Sequence, residues 1–457
     1  MVQQFDLIIV GAGSGNTVPG PDLAGWNIAI IEQDKFGGTC LNRGCIPSKM
    51  LIHAADVAET IHSAPTFGVH ATVERIDWDR LTGRVWQRID PIAEAGERWR
   101  RTQPHTTVFK GTARFVGEKT LEVNGQRLSA PRIVLAAGSR PYIPDIPGLA
   151  QVDYHTSDTI MRLRQQPRSM AILGGGYIGA ELGHFFGTLG TAITIINRGD
   201  RLLQQEDDEI SQRFTDLYTR RFTVLQRTQV QHVQQSDGQI TLELSVAGVP
   251  QQAACDVLLV ATGRIPNTDV LEVARSGLAV DAQGRLVVNA YYETNVPGIW
   301  SLGDIDSPYQ LKHAANSEAR VVAHNIAHPE QQRRGSHYAM PHAVFAAPQV
   351  ASVGLTERAA QARGLPYLVG KRDYSATAYG WAIEDTDSFV KILAHAETRQ
   401  VLGAHIIGPH AAILLQPLIN AMRFGETVDQ LAHETFYIHP ALTEALEQAL
   451  LEIPERP

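Results

Sequence analysis

An α/β architecture built on parallel sheets follows from three features of this 457-residue sequence. Short apolar runs ending in glycine loops recur at 5–15 (FDLIIVGAGSG), 132–141 (RIVLAAGSRP), 169–179 (SMAILGGGYIG) and 256–267 (DVLLVATGRIPN). Such near-continuous apolar runs suit strands buried on both faces, which parallel sheets require. Two of the runs lead into glycine-rich loops of dinucleotide-binding type. The chain is also too long for one core, so two to four domains are expected.

The first run leads to Gly11 and Gly13, and the next strand, IAII, ends on a carboxylate, Glu32, 21 residues past Gly11. That is where the second strand of a nucleotide-binding unit ends. The loop GAGSGN departs from the pattern, because Asn16 stands where a third glycine is expected and Pro19 and Pro21 should cut the following helix short. The second loop, GGGYIG, carries Gly174, Gly176 and Gly179 between a strand and the helical pattern AELGHFFGTLG. Such glycines let backbone amides approach a pyrophosphate at a helix N-terminus. A structural turn explains one copy well, and two copies less well.

One nucleotide-binding unit therefore reads as inserted into another, giving units of 1–145 with 271–337, of 146–270, and of 338–457. GIWSLGD, at 298–304, supplies a strand ending in Gly303-Asp304 that returns to the first unit. From 338 onward PHAVFAAPQVASVGLTE, FVKILAH and VLGAHIIG read as strands, and 411–424 and 440–451 as helices. The third unit is thus sheet plus helix.

A formal charge of −8 with scattered Lys and Arg argues against a nucleic-acid or anionic-membrane surface. No apolar stretch approaches the roughly 18 residues of a membrane span. The start, MVQQFDLIIVGAG, has no basic segment and reads as a strand, not a signal peptide. With three cysteines the chain is expected in the cytoplasm, acting on small molecules.

Two of those cysteines, Cys40 and Cys45, lie in GGTCLNRGCIPSK, which admits a staple, half a metal site or a redox pair. Static disulfides are rare where thiols are kept reduced. A structural zinc site wants four ligands, and Cys255 stands alone, so no metal is expected. Pro47 suits the first turn of a helix whose apolar spacing runs through Met50, Ala54, Val57 and Ile61, placing Cys45 near its N-terminus, where the helix dipole favours thiolate. The redox reading is favoured. Near the end, His439 precedes Pro440, a helix is expected just after it, and Glu444 in its second turn can hold the imidazole. Any one of 17 histidines is more simply a surface residue. This one gains weight because disulfide exchange needs a group that moves protons.

The strand AITII ends in Asn197, 23 residues past Gly174, and Arg198 and Arg201 follow. A carboxylate at that place holds both ribose hydroxyls and repels a 2′-phosphate, whereas arginine grips it. NADPH is favoured, the alternative being two solvated turn arginines.

Together GGTCLNRGCIPSK, GGGYIGAE, VATGRIPN, GIWSLGD and HPALTE, in this order and over essentially the whole chain, resemble the two-dinucleotide-binding-domain flavoprotein disulfide reductases. The resemblance implies an FAD domain (1–145 and 271–337), an NAD(P) domain (146–270) and an α+β dimerisation domain (338–457). It also implies a homodimer in which each site is completed by His439 and Glu444 of the partner subunit. Gly11, Gly13 and Glu32 correspond to residues on the ADP part of FAD, Asp304 to the ribityl contact, and Thr112 and Ala113 to neighbours of the adenine. Ser14, Gly15, Gly38, Thr39, Gly138, Leu311 and His313 fall along the same cofactor. Ile178, Gly179 and Gly263 fall along the nicotinamide nucleotide, with Tyr177 covering the flavin until the nicotinamide arrives. Lys49 and Glu181 correspond to an ion pair beside the flavin ring, Cys45 to the thiol that exchanges electrons with it, and Cys40 to the thiol that attacks substrate.

Within the family, GSGN with its proline-interrupted continuation, DYHTSDTIMRL, SPYQLKHAANSEARVV, AYGWAIEDT and IHPALTEALEQALL are similar to the mycothione reductase branch. The segment NTVPGPD lacks the arginine that glutathione reductases carry for an anionic substrate. The implied activity is NADPH-dependent reduction of mycothione to mycothiol through a Cys40–Cys45 disulfide. Dihydrolipoamide dehydrogenase, glutathione reductase and a non-enzymatic flavin-binding interaction protein stay open as alternatives.

Overall fold

Five strands run parallel in the first sheet, in the spatial order Ile299–Ser301, Arg132–Leu135, Leu7–Val10, Ile28–Glu32 and Thr106–Lys110. The structure, a computed structural model, describes residues 1–455, and the last two residues of the expected 338–457 unit lie outside the described residues. Every side chain of the central strand Leu7–Val10 is buried, as its unbroken apolar run requires. The edge strand Ile299–Ser301 pairs with Arg132–Leu135, so the chain leaves this sheet and later returns to it. In between it builds a second parallel sheet, ordered Tyr154–His155, Val257–Val260, Ser169–Leu173, Ala192–Ile196 and Thr223–Leu225. On the way out and back, Ser139–Pro141 and Arg264–Pro266 pair antiparallel.

The third sheet is antiparallel throughout: Pro341–Val344, Val350–Gly354, Val401–Ile407, Phe389–His395 and Tyr367–Asp373. Helices Gln416–Phe424 and Glu444–Leu451 pack Leu418, Met422, Leu446 and Leu450 into one core with Val390, Ile392, Ala404 and Ile406. The architecture is therefore two nucleotide-binding α/β units plus an α+β unit. Two further sheets, the first antiparallel and the second mixed, were not legible in advance. One, of Thr228–Ser236, Gln239–Val246 and Val249–Cys255, buries few side chains, with alternation only along Gln239–Val246, and TQVQHVQQS reads as polar. The other, of Val2–Gln4, Gln126–Ser129, Thr120–Val123 and Arg114–Gly117, has strands of at most four residues.

The same backbone crossing is built twice. Gly11 (φ +104°) and Gly174 (φ +117°) each press against the neighbouring strand, and a Cβ would lie 2.2 Å from Ala136 O in the first and 2.3 Å from Ala261 O in the second. Behind the second loop runs helix Tyr177–Thr188, which Gly179 lets approach within 2.3 Å, Cβ position to Gly174 O. Behind the first there is no α-helix, only the 3₁₀ turns Ser14–Thr17 and Pro21–Leu23, as Pro19 and Pro21 require. Asn16 lies in the first of these turns, and its Oδ1 accepts from Nε of the buried Arg100 of helix Trp78–Thr102 at 2.7 Å.

Three local expectations are corrected. Helix Cys45–Ser63 buries Leu51, Ile52, Ala55 and Ala58, not the stripe through Met50, Ala54, Val57 and Ile61, and Val57 is 52% exposed. The small Ala55 and Ala58 share a buried cluster with Ala180 and Phe185 of helix Tyr177–Thr188, so close helix approach outweighed local apolar spacing. The single helix expected over 411–424 is two, Ala411–Leu414 and Gln416–Phe424, because Pro417 has no N–H to continue the first. The last helix starts at Glu444, not directly after Pro440, because tight i→i−3 bonds from Glu444, Ala445 and Leu446 to 441–443 form a turn first. Glu444 is therefore its first residue, not one of the second turn.

The segment after Arg201 is clamped to the third sheet by a polar network. Lys391, 1% exposed, reaches Asp207 at 2.9 Å, Glu209 at 2.8 Å and Glu357 at 2.6 Å. Glu206 takes His342 at 2.7 Å and the Ser352 hydroxyl at 2.6 Å, and Arg358 pairs with Asp208 at 2.8 Å. Among the described residues no helix is long and apolar enough to cross a membrane.

Candidate active site

The Gly-Gly pair ahead of the cysteines turns the chain back onto the first nucleotide loop. Gly37 and Gly38 both have positive φ, Gly37 N–H donates to Ala12 O at 2.9 Å, and a Cβ on Gly38 would lie 2.8 Å from Gly13 Cα. Helix Gly38–Arg43 carries Cys40, Gly44 breaks it, and Cys45 opens helix Cys45–Ser63. Both thiols are free, with Cys45 exposed and Cys40 partly so.

They share one proton unequally. The hydrogen bond from Cys40 pulls the Cys45 thiol down to about 7 against the effect of burial, and the Lys49 ammonium adds to it. The same hydrogen bond, with burial, pushes Cys40 well above an ordinary thiol. When the pair ionises, Cys45 therefore carries the negative charge and Cys40 keeps its proton.

Lys49, one turn into the same helix, pairs with Glu181 at 2.5 Å and lies 4.6 Å over the Phe345 ring, while Glu181 also accepts the Phe345 N–H at 3.0 Å. Tyr177, first residue of its helix, is 46% exposed at the same opening. Glu32 accepts the N–H of Ala12 at 2.7 Å and of Asp34 at 2.8 Å, and burial raises its pKa despite those bonds. Asp304 accepts from the Ser139 hydroxyl at 2.7 Å, and Thr112 donates to Gln33 at 3.2 Å. Asn197 spends its amide on Gly199 O and Arg201 O, closing the turn, and Arg201 is held by Asp208 at 3.1 Å, which leaves Arg198 exposed at the rim.

A single cleft of ≈ 2120 Å³ runs along both glycine loops and across the cysteines. Of the catalytic and cofactor residues expected from the sequence, all line it except Gly15, Gly179, His439 and Glu444. The two glycines lie beneath their loops. His439 and Glu444 form a pair of their own, Nδ1 to Oε1 at 2.7 Å, on an outer surface where the His439 side chain is 72% exposed beside fully exposed Phe436. Glu444 is mostly buried, and its second oxygen has no hydrogen-bond partner. The cleft also takes in Ser139, Lys312 and Phe345, which sequence patterning did not single out. Only Lys312 offered a signal, as a cation directly before the helical run HAANSEARVV.

Residues 5–319 match the pyridine nucleotide-disulphide oxidoreductase family and residues 340–450 its dimerisation domain. The chain belongs to this family, and it is a disulfide oxidoreductase by that membership. It is 44% identical to mycothione reductase of Mycobacterium tuberculosis, over 98% of this chain and 99% of that one. It is 34% identical to dihydrolipoyl dehydrogenase of Chlamydia pneumoniae, over 100% of this chain and 98% of the relative. Among solved structures, the HOCl-induced flavoprotein disulfide reductase RclA of Escherichia coli superposes with a TM-score of 0.85 at 26% identity, covering 98% of this chain and 99% of that one.

Proposed function

We propose that the chain is an FAD-containing, NADPH-dependent reductase of mycothione, a low-molecular-weight disulfide, working as a cytoplasmic homodimer. The observation that carries the reading is one cleft in which a thiol pair with an unequal proton share lies between two dinucleotide-type loops. Identity of 44% to a mycothione reductase supports the substrate.

Two dinucleotides fit the residues present. At ≈ 2120 Å³ the cleft exceeds twice the ~1,000 Å³ of a large small-molecule site, and Gly11 and Gly174 keep both loops free of side chains. FAD would lie along Gly11, Gly13 and Glu32 of the first unit, 1–145 with 271–337, with its ribityl chain at Asp304. NADPH would lie along Gly174 and Gly176 of the second unit, 146–270, with its 2′-phosphate at Arg198. The third unit, 338–457, would form the dimer. When bound, FAD supplies the two-electron carrier between nicotinamide and the thiols.

This chain's groups then exchange disulfides. Cys40 loses its proton to His439 of the partner subunit and attacks one sulfur of the substrate, forming a mixed disulfide and expelling a thiolate. The same imidazole returns the proton to that leaving group. Cys45 thiolate attacks Cys40 sulfur, expelling the second half of the substrate as a thiolate that takes its proton from water and leaving the Cys40–Cys45 bond, so two electrons have passed to the substrate. Lys49 holds charge beside Cys45, and Glu444 keeps the imidazole in one tautomer. The outward position of His439, away from its own cleft, supports a site shared between subunits.

The test is a steady-state comparison of mycothione, glutathione disulfide and lipoamide with NADPH and NADH, on protein whose bound flavin is read by absorbance. Preference for mycothione with NADPH is expected, and preference for lipoamide with NAD⁺ overturns the assignment.

A further inference from the structure

The first loop lacks what a phosphate finds behind the second one. Beyond Gly13 the chain makes only the 3₁₀ turns Ser14–Thr17 and Pro21–Leu23, and so few aligned peptides carry little dipole. What stands there instead comes from a later helix, Lys312–Ala327. Two of its residues, one turn apart, grip Ser14: Lys312 Nζ donates to Ser14 Oγ at 2.8 Å, and Ser14 Oγ donates to Asn316 Oδ1 at 3.1 Å.

The placement of that lysine is electrostatically costly as it stands. A cation on the first turn of a helix faces the positive end of the dipole, and no carboxylate forms an ion pair with Lys312 among the described residues. It is half-buried and lines the cleft, and its charge reaches Cys40, where it offsets only part of the rise that the Cys45 hydrogen bond and burial cause. Two like fields therefore converge at Ser14 without a counter-charge, which is a place for an anion.

We propose that Lys312 is the phosphate-binding cation of the first unit, its ammonium poised by Ser14 to grip a pyrophosphate oxygen of the dinucleotide lying over Gly11 and Gly13. The proposal rests on the FAD reading above. A charge contributed from a residue 298 positions away replaces the helix that Pro19 and Pro21 remove.

The test strips the flavin and titrates the apoprotein with FAD and, separately, with riboflavin, which has the ring and ribityl chain but no phosphate, following flavin fluorescence. Lys312→Met is expected to weaken FAD about tenfold to a hundredfold, the effect of losing one charge-assisted contact, and to leave riboflavin unchanged. Lys312→Arg should retain FAD, and added salt should weaken FAD more in the parent than in Lys312→Met. Equal loss of both ligands in Lys312→Met, or no loss of FAD, overturns the proposal. Parent protein that binds riboflavin and FAD equally well also overturns it, whereas parent protein that binds neither overturns the flavin reading on which it rests.

Discussion

Replacing Cys40 by alanine removes the thiol that donates to Cys45, the largest influence holding that residue near 7. Burial acts the other way and is then opposed mainly by Lys49. The midpoint should rise to roughly 8.5, the range of a free thiol, so that at pH 7 the thiolate fraction falls from about half to about 3%. The assay is alkylation of the reduced protein by iodoacetamide across pH, with modified cysteines counted by mass spectrometry. Cys255 is 2% exposed and should not react, so Cys45 reports alone. The midpoint is the quantity to read, because a more basic thiolate is also a better nucleophile and partly offsets the smaller fraction. Lys49→Met should move the midpoint in the same direction by less. A midpoint unmoved in Cys40→Ala would refute the shared proton and with it the separate roles of the two thiols.

His439→Gln should slow disulfide reduction by about 10²- to 10⁴-fold while leaving reduction of the protein by NADPH unchanged, which stopped-flow measurement of the two half-reactions resolves. Lys391→Met leaves the buried Asp207 carboxylate without its ion-pair partner and takes one cation from Glu357 and from Glu209, which keeps Lys371; it should destabilise by about 3–5 kcal/mol, read as a lower denaturant midpoint. Burial opposes charge on His342, but Glu206 at 2.7 Å outweighs it and raises its pKa. The stability from that pair is complete below about 6.5 and is lost as pH rises through the raised folded value, so a thermal-melt series should decline over that window in the parent and flatten in His342→Gln.

The fold and the chemistry were carried by local signals. Apolar runs too continuous for a half-exposed strand announced parallel sheets, and the spacing of Gly11, Gly13 and Glu32 and of Gly174, Gly176 and Gly179 announced two similar units. Prolines at 19 and 21 announced a missing helix, because the lack of a donor N–H is a property of the residue itself. Cys40 and Cys45 were legible because their setting, two glycines before and a proline after, is written within thirteen residues.

Partners distant in sequence were not legible from local signals, and the Lys49–Glu181 pair was expected only through the family resemblance. Which face of helix Cys45–Ser63 turns inward was decided by how closely another helix, over a hundred residues on, could approach its alanines. Lys391 reads as an exposed strand lysine until three carboxylates from separate segments surround it. Lys312 gains meaning only beside Ser14. Backbone preference and hydrophobic period act over a few residues and are encoded there, whereas charge pairing and close packing act over a few ångströms of space, and only the folded chain sets which residues those are.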